Sequence, residues 1–206
     1  MGTNAFPDLP PWGWLAGALA VGFLCGSVPF GVIFARLRGI DLQKIGSGNI
    51  GATNAARALG KKMGVVVLLC DAGKAVAPIL VARYLVHPPG TRWVEAAVGL
   101  GAVAGHMFPP WLRFHGGKGV ATAFGVFLSI APLPAGIAAA VWAGLYALTR
   151  TSSIGSLVAV VVLPVSAWAL GHPPSTVVLA VALAPLIVYR HKDNIRRLLS
   201  HEESKV

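Results

Sequence analysis

A chain of 206 residues in which 55% are hydrophobic and only 12% charged excludes an ordinary soluble domain, where about a quarter of residues are charged. A mean hydropathy of +0.71 and long apolar runs point to one multi-spanning membrane bundle, a single domain over residues 1–206. The formal net charge of +10 is assigned to basic loops on one side of a membrane, which excludes nucleic acid as the partner.

Residues 1–11 hold no Lys or Arg and carry Asp8, so no signal peptide is expected, and this segment is placed on the periplasmic or extracellular side. Seven apolar segments follow, at residues 12–37, 63–86, 93–112, 119–133, 135–149, 154–171 and 174–190. The expected fold class is an all-α integral membrane protein, a polytopic bundle of about seven transmembrane helices, some of them short. Only Pro132-Leu133-Pro134 separates the fourth segment from the fifth, so five full spans with re-entrant pieces are the alternative. The loops after segments one, three, five and seven hold 14 of the 17 Lys and Arg; only Arg83 and Arg92 fall on the opposite side. Seven crossings from an outside N-terminus place every basic loop, and the tail 191–206, in the cytoplasm. Gly13/Gly17, Gly22/Gly26 and Gly101/Gly105 are small-residue seams for packing within the monomer. Cys25 and Cys70 read as small apolar residues, not as a disulfide or a metal site.

After the first segment comes GSGNIGATN, residues 46–54. Gly46 to Gly51 spell the G-x-G-x-x-G fingerprint, and Asp71 lies where a ribose ligand would be sought. The fingerprint needs a strand before it and a βαβ unit around it; a membrane span precedes it here, and Asp71 sits in the next span. A plain linker does not call for Asn49, Thr53 and Asn54 followed by Arg57, Lys61 and Lys62. The stretch reads instead as an anion cradle. Gly46, Gly48 and Gly51 let backbone amides converge, Ser47 and Thr53 add hydroxyls, a helix starts near Thr53, and Arg57 supplies a clamp.

A second such loop, Arg113 to Gly119, sets Lys118 among Gly116, Gly117 and Gly119, with Thr122 one turn on. Alone it reads equally as a cytoplasmic turn; beside the first loop it suggests two anionic groups at one face. Asp71 and Lys74 share a helix face inside the second segment, either as a neutralised structural pair or with Lys74 turned to an anion. His106 near the end of segment three reads as a core histidine or a ligand contact. Ser153 and Ser156 open segment six, where helix capping is the plain alternative. His191 and Asn194 share a face beyond segment seven, and His191 suits an acid, a base or a phosphate donor. The scattered histidines make no metal site, and no nucleophile elbow is present.

Taken together, these residues resemble the PlsY family, the bacterial acyl-phosphate:glycerol-3-phosphate acyltransferases. The first motif runs from Asp41 through DLQKIGSGNIGATN to Arg57, followed by Asp71-x-x-Lys74. The second runs from Gly105-His106-Met107-Phe108-Pro109 through Phe114 to Thr122, and Ser153-x-x-Ser156 and His191 to Ile195 resemble the third region. The matches keep family order from about Gly26 to Leu199. Gln43 stands where the family often has Arg, and Ala75 where it has Gly. The resemblance implies acyl transfer from acyl-phosphate to the 1-hydroxyl of glycerol-3-phosphate, giving lysophosphatidate and phosphate, with neither metal nor cofactor. Ser47, Arg57, Lys118, His191 and Asn194 become the expected catalytic set. The expected phosphate contacts are Gly46, Gly48, Asn49, Gly51, Thr53 and Asn54 in the first loop. Asp71, Lys74 and His106 in the spans, Gly116, Gly117, Gly119 and Thr122 in the second loop, and Ser153 and Ser156 complete them. A monomer in the bacterial inner membrane is expected, its site facing the cytoplasm and its only partners the two substrates and lipid. The competing class, a transporter of a phosphorylated solute, favours inverted repeats, and the sequence has none.

Overall fold

The computed structural model describes residues 10–203 and Lys205, so most of the expected outer segment 1–11 lies outside the described residues. Among those described there are ten α-helices and no strand. All seven apolar segments are helical, but they differ in length and continuity. The first is two helices, α1 (Trp12–Gly26) and α2 (Phe30–Arg36), broken at Pro29, which has no amide hydrogen and restricts Val28. α3 (Ala52–Leu59) lies between segments, and Gly60, at φ 90°, turns the chain into α4 (Lys61–Val81), extended by a π-helical turn, Ala82–Val86. α5 (Thr91–Met107) stops five residues short of the expected end because Pro109 and Pro110 follow; Pro110–Leu112 form a 3₁₀ turn.

α6 (Val120–Ile130) has 11 residues, roughly 16 Å of helix, about half the hydrocarbon thickness. It meets α7 (Pro132–Thr149) at Ala131. α8 (Ser152–Ala169) and α9 (Pro174–Arg190) follow, and the chain bends by 57° at His191 into α10 (Lys192–Leu199). By length and composition four stretches can cross a membrane, namely Trp12–Arg36, Lys61–Val86, α7 and α8, with the bent α9–α10 pair as a fifth.

Lipid is as apolar as Leu, so helices here associate through close packing and internal polar bonds more than through escape from water. The α1–α5 pair shows this. Gly22 and Gly26 lie on the backbone of Val98 and Ala102, while Gly101 and Gly105 lie on that of Leu19 and Phe23; a Cβ at Gly26 would stand 2.6 Å from Ala102 Cα. Gly13 and Gly17 have open space instead. The main core gathers Ile79 of α4, Val103 and Met107 of α5, Phe127 of α6, and Leu183 and Ile187 of α9. A second small core, Ala35, Leu42, Ala55 and Val67, packs α2 and α3 onto α4 and supports the glycine-rich loop. α7 is the spanning helix most exposed on the outside of the bundle, with 17% of its apolar window buried.

Candidate active site

The first loop is shaped by Asn54. This side chain is 1% exposed, and all of its hydrogen bonds described here go to the loop's own backbone. Its Oδ1 accepts from the Ser47 amide at 3.1 Å, and its Nδ2 donates to the carbonyls of Leu42 at 3.1 Å and Ile45 at 2.9 Å. Gly46 and Gly48 take left-handed φ values of 58° and 68°, which a side chain would strain. Asn54, expected as a phosphate contact, braces the loop through these bonds while also lining the cavity, and Ser47 is left exposed. Gly48 spends its amide on the Ile45 carbonyl at 3.0 Å and does not reach the cavity wall. The first turn of α3 does reach it: Gly51, Ala52 and Thr53 line the wall, and the opening amides of a helix have no partner within it.

The second loop is folded back under α5. The amides of Gly116 and Gly117 donate to the carbonyls of Met107 at 3.1 Å and His106 at 3.0 Å, and so cap the helix end. The carbonyls of the same two glycines accept from Arg190, from Nη2 at 2.5 Å and Nε at 3.1 Å. Gly116 and Gly117 thus do not offer amides to a ligand, contrary to expectation; they hold the loop so that Lys118 and Gly119 face the cavity. Gln43, at the departure from the family pattern, reaches across from the first loop, its Nε2 donating to the His115 carbonyl at 3.4 Å.

The third wall comes from the α8 start and the tail. Ser152, Ser153 and Ser156 line the cavity, as do His191 and Asn194. Capping of α8, the plain alternative for Ser153 and Ser156, is not their role here: Thr151 is the cap residue and makes no side-chain cap bond. Ser156 donates to the Ser152 carbonyl within the helix at 2.9 Å, and Thr53 and Ser152 hydroxyls meet at 3.4 Å. His191 is buried, with Nδ1 2.7 Å from the Ile187 carbonyl. A carbonyl only accepts, so Nδ1 carries the proton and Nε2 is an acceptor.

Glu203, from the tail, is a group the sequence reading missed, as are Ser152 and Arg197, which also line the cavity. Glu203 Oε1 accepts from Ser153 Oγ at 2.8 Å and from Asn194 Nδ2, and its Oε2 from Arg197 Nε at 2.6 Å. Burial alone would raise its pKa, but these donors outweigh burial and hold the carboxyl below its ordinary value. Lys118 is pushed down to about 8, mainly by burial; Glu203 opposes the shift, while Arg197 and Arg57 add to it.

Deeper in the bundle, Lys74 spends its three ammonium protons on protein. It donates to Asp71 Oδ1 at 2.8 Å, to His106 Nδ1 at 2.7 Å and to the Val28 carbonyl, beside the Pro29 break, at 3.0 Å. The expected turn of Lys74 toward an anion is not made: it stays off the cavity wall, and of the three only Asp71 and His106 reach that wall. Thr122 is also off the wall, and its buried hydroxyl has no partner among the described residues.

The loops and the tail surround one cavity of about 620 Å³. Its polar end holds Ser47, Asn49, Arg57, Lys118, His191 and Arg197. Its other limb is apolar, lined by Ala135, Ala138, Ala139 and Trp142 of α7, Val160 and Leu163 of α8, and Phe124 and Phe127 of α6.

A family description, glycerol-3-phosphate acyltransferase, matches residues 16–201. The chain belongs to the glycerol-3-phosphate acyltransferase family. A relative of that name from Anaeromyxobacter dehalogenans is 52% identical over 200 residues, covering 93% of this chain and 98% of the relative. Another, from Geobacter sulfurreducens, is 44% identical over 186 residues, 90% of this chain and 94% of that one. Among solved structures, PlsY (YgiH), an integral membrane glycerol 3-phosphate acyltransferase, aligns in its glycerol 3-phosphate form with a TM-score of 0.86 at 39% identity. That alignment covers 93% of this chain and 95% of PlsY. Its lysophosphatidic acid form aligns with a TM-score of 0.83 at 38% identity, covering 93% and 94%. This member of the acyltransferase family thus has the all-helical membrane architecture expected from its sequence, and the five residues expected as catalytic all line one cavity.

Proposed function

We propose that this chain transfers a fatty acyl group from acyl-phosphate to the 1-hydroxyl of sn-glycerol-3-phosphate, as the first acylation of phospholipid synthesis. The observation that carries this reading is the two-part cavity: a cationic cradle continuous with an apolar limb on the lipid-facing helix α7. Both substrates bring a phosphate, and one brings a fatty chain. The chain lies among the alanines of α7, and the phosphates lie on the Ser47 loop, Arg57, Lys118 and Arg197.

Acyl-phosphate is a mixed anhydride, already activated, so the reaction asks for positioning and charge stabilisation and for no cofactor. The glycerol oxygen attacks the acyl carbonyl carbon, the carbon–oxygen bond to phosphate breaks, and phosphate leaves with the electron pair and takes the hydroxyl proton. The partner of His191 Nδ1 supports that assignment. It is the Ile187 carbonyl and not a carboxylate, so the ring gains less basicity than a carboxylate partner would give it; Nε2 orients the hydroxyl. One domain spans residues 1–206, works as a monomer in the bacterial inner membrane, and opens its basic end to the cytoplasm.

The test is phosphate release from acyl-phosphate and glycerol-3-phosphate by purified protein. Release with formation of 1-acylglycerol-3-phosphate is expected. A folded protein that releases none points to the transporter reading, which flux into liposomes then measures. Trapping an acyl-enzyme would overturn direct transfer.

A further inference from the structure

Arg190 lies outside the cavity wall, yet it grips the loop that presents Lys118. We propose that Arg190 is a positioning residue that fixes Lys118 for phosphate binding. The inference rests on the reading of Lys118 as a phosphate contact.

The loop's own amides tie Arg113, Phe114 and His115 back to Pro110, Pro109 and Leu112, short of the two glycines. Gly116 and Gly117 lack side chains, and Arg113, Phe114 and Gly119 around them take left-handed φ values of 51°, 64° and 84°. What holds the two glycines is their backbone, pinned on both sides. Their amides donate to the end of α5, and their carbonyls accept from the two arms of one guanidinium. The fork suits two successive carbonyls, which a single ammonium cannot span in the same way. The guanidinium is itself set against the Phe108 ring, 5.5 Å from its centroid. Arg190 is also the last residue of α9, next to His191 at the bend. The end of one helix therefore aligns both the Lys118 loop and the imidazole of His191.

The experiment compares full-length wild type, Arg190→Gln, Arg190→Lys, Lys118→Ala and the Arg190→Gln/Lys118→Ala double variant in detergent. Inorganic phosphate affinity is measured by calorimetry and loop order by hydrogen exchange. Arg190→Gln is expected to speed exchange at the Gly116 to Gly119 amides and to weaken phosphate about tenfold, matching Lys118→Ala. The double variant is expected to bind no more weakly than Lys118→Ala, because Arg190 acts through that lysine. Arg190→Lys is expected to recover part of the loss, and it replaces Arg190→Gln in the comparison if the latter does not fold. Wild-type phosphate affinity without the Arg190 fork, or losses that multiply in the double variant, would overturn the proposal. A wild type that binds phosphate but transfers no acyl group would overturn the proposed reaction and leave this comparison standing.

Discussion

Lys118 ties the pH response of the site to one ammonium. Its pKa of about 8 lies below the ordinary lysine value, so the cation is present below pH 8 and is lost as pH rises through it. The KM for the phosphate substrate that meets it is expected to rise about tenfold by pH 9, and Lys118→Arg is expected to flatten that rise; initial rates from pH 6.5 to 9.5 measure both. Glu203 is expected to matter as a brace. Glu203→Ala removes the acceptor shared by Ser153, Asn194 and Arg197, at about 1.5–3 kcal/mol for each charge-assisted bond, and should cut kcat/KM about a hundredfold. Faster hydrogen exchange across α10 would accompany it; an unchanged kcat/KM would remove Glu203 from the site. That Ser47, Arg57 and Lys118 would share one cavity was legible because glycine, hydroxyl and cation sit together in short stretches. Glu203 was not, since it follows His191 by a helix and a turn at His201, and no local pattern shows that the tail folds back. Lys74 was misplaced for a related reason: i,i+3 spacing finds Asp71 but cannot show the Val28 carbonyl or His106 that use its other protons.

Among the helices, the glycine seams divide by use. Gly26→Val is expected to separate α1 from α5 and to abolish a cooperative melting transition in detergent, because the new methyls meet Ala102 backbone. Gly17→Ala is expected to leave the melting temperature within a few degrees, as its neighbourhood is open. Thermal unfolding followed by circular dichroism tests the pair. The alanine face of α7 gives another contrast. Ala138→Phe is expected to fill the apolar limb and lower turnover of long-chain acyl-phosphates about tenfold or more while leaving inorganic phosphate affinity unchanged. Equal loss of both would place Ala138 in the scaffold and not on the acyl path. The apolar segments were readable from length and composition. Their breaks were less so: Pro29 lies within one apolar run, and the short α6 looks in sequence like a span because Ala131 and the prolines after it are also apolar.

For the whole molecule, the basic loops and the cavity coincide, since Arg57, Lys118 and Arg197 line it. In a Cys25→Ala, Cys70→Ala background, a cysteine at Lys62 is expected to react with an impermeant maleimide only after the cytoplasmic side is opened, and one at Arg92 from the outside. Reversed labelling would invert the orientation. The helical architecture was legible from hydropathy, whereas the meeting of three distant loops in one chamber depends on packing between elements and is written in no single stretch. One consequence concerns the unit in which substrate is counted. With α7, the spanning helix most exposed on the outside of the bundle, lining the chamber, the proposed fatty donor is expected to enter, and the acylated product to depart, sideways within the bilayer. The rate is then expected to follow the donor's mole fraction in the membrane, so that adding inert phospholipid at constant total donor dilutes it on a surface and slows turnover, while adding buffer does not.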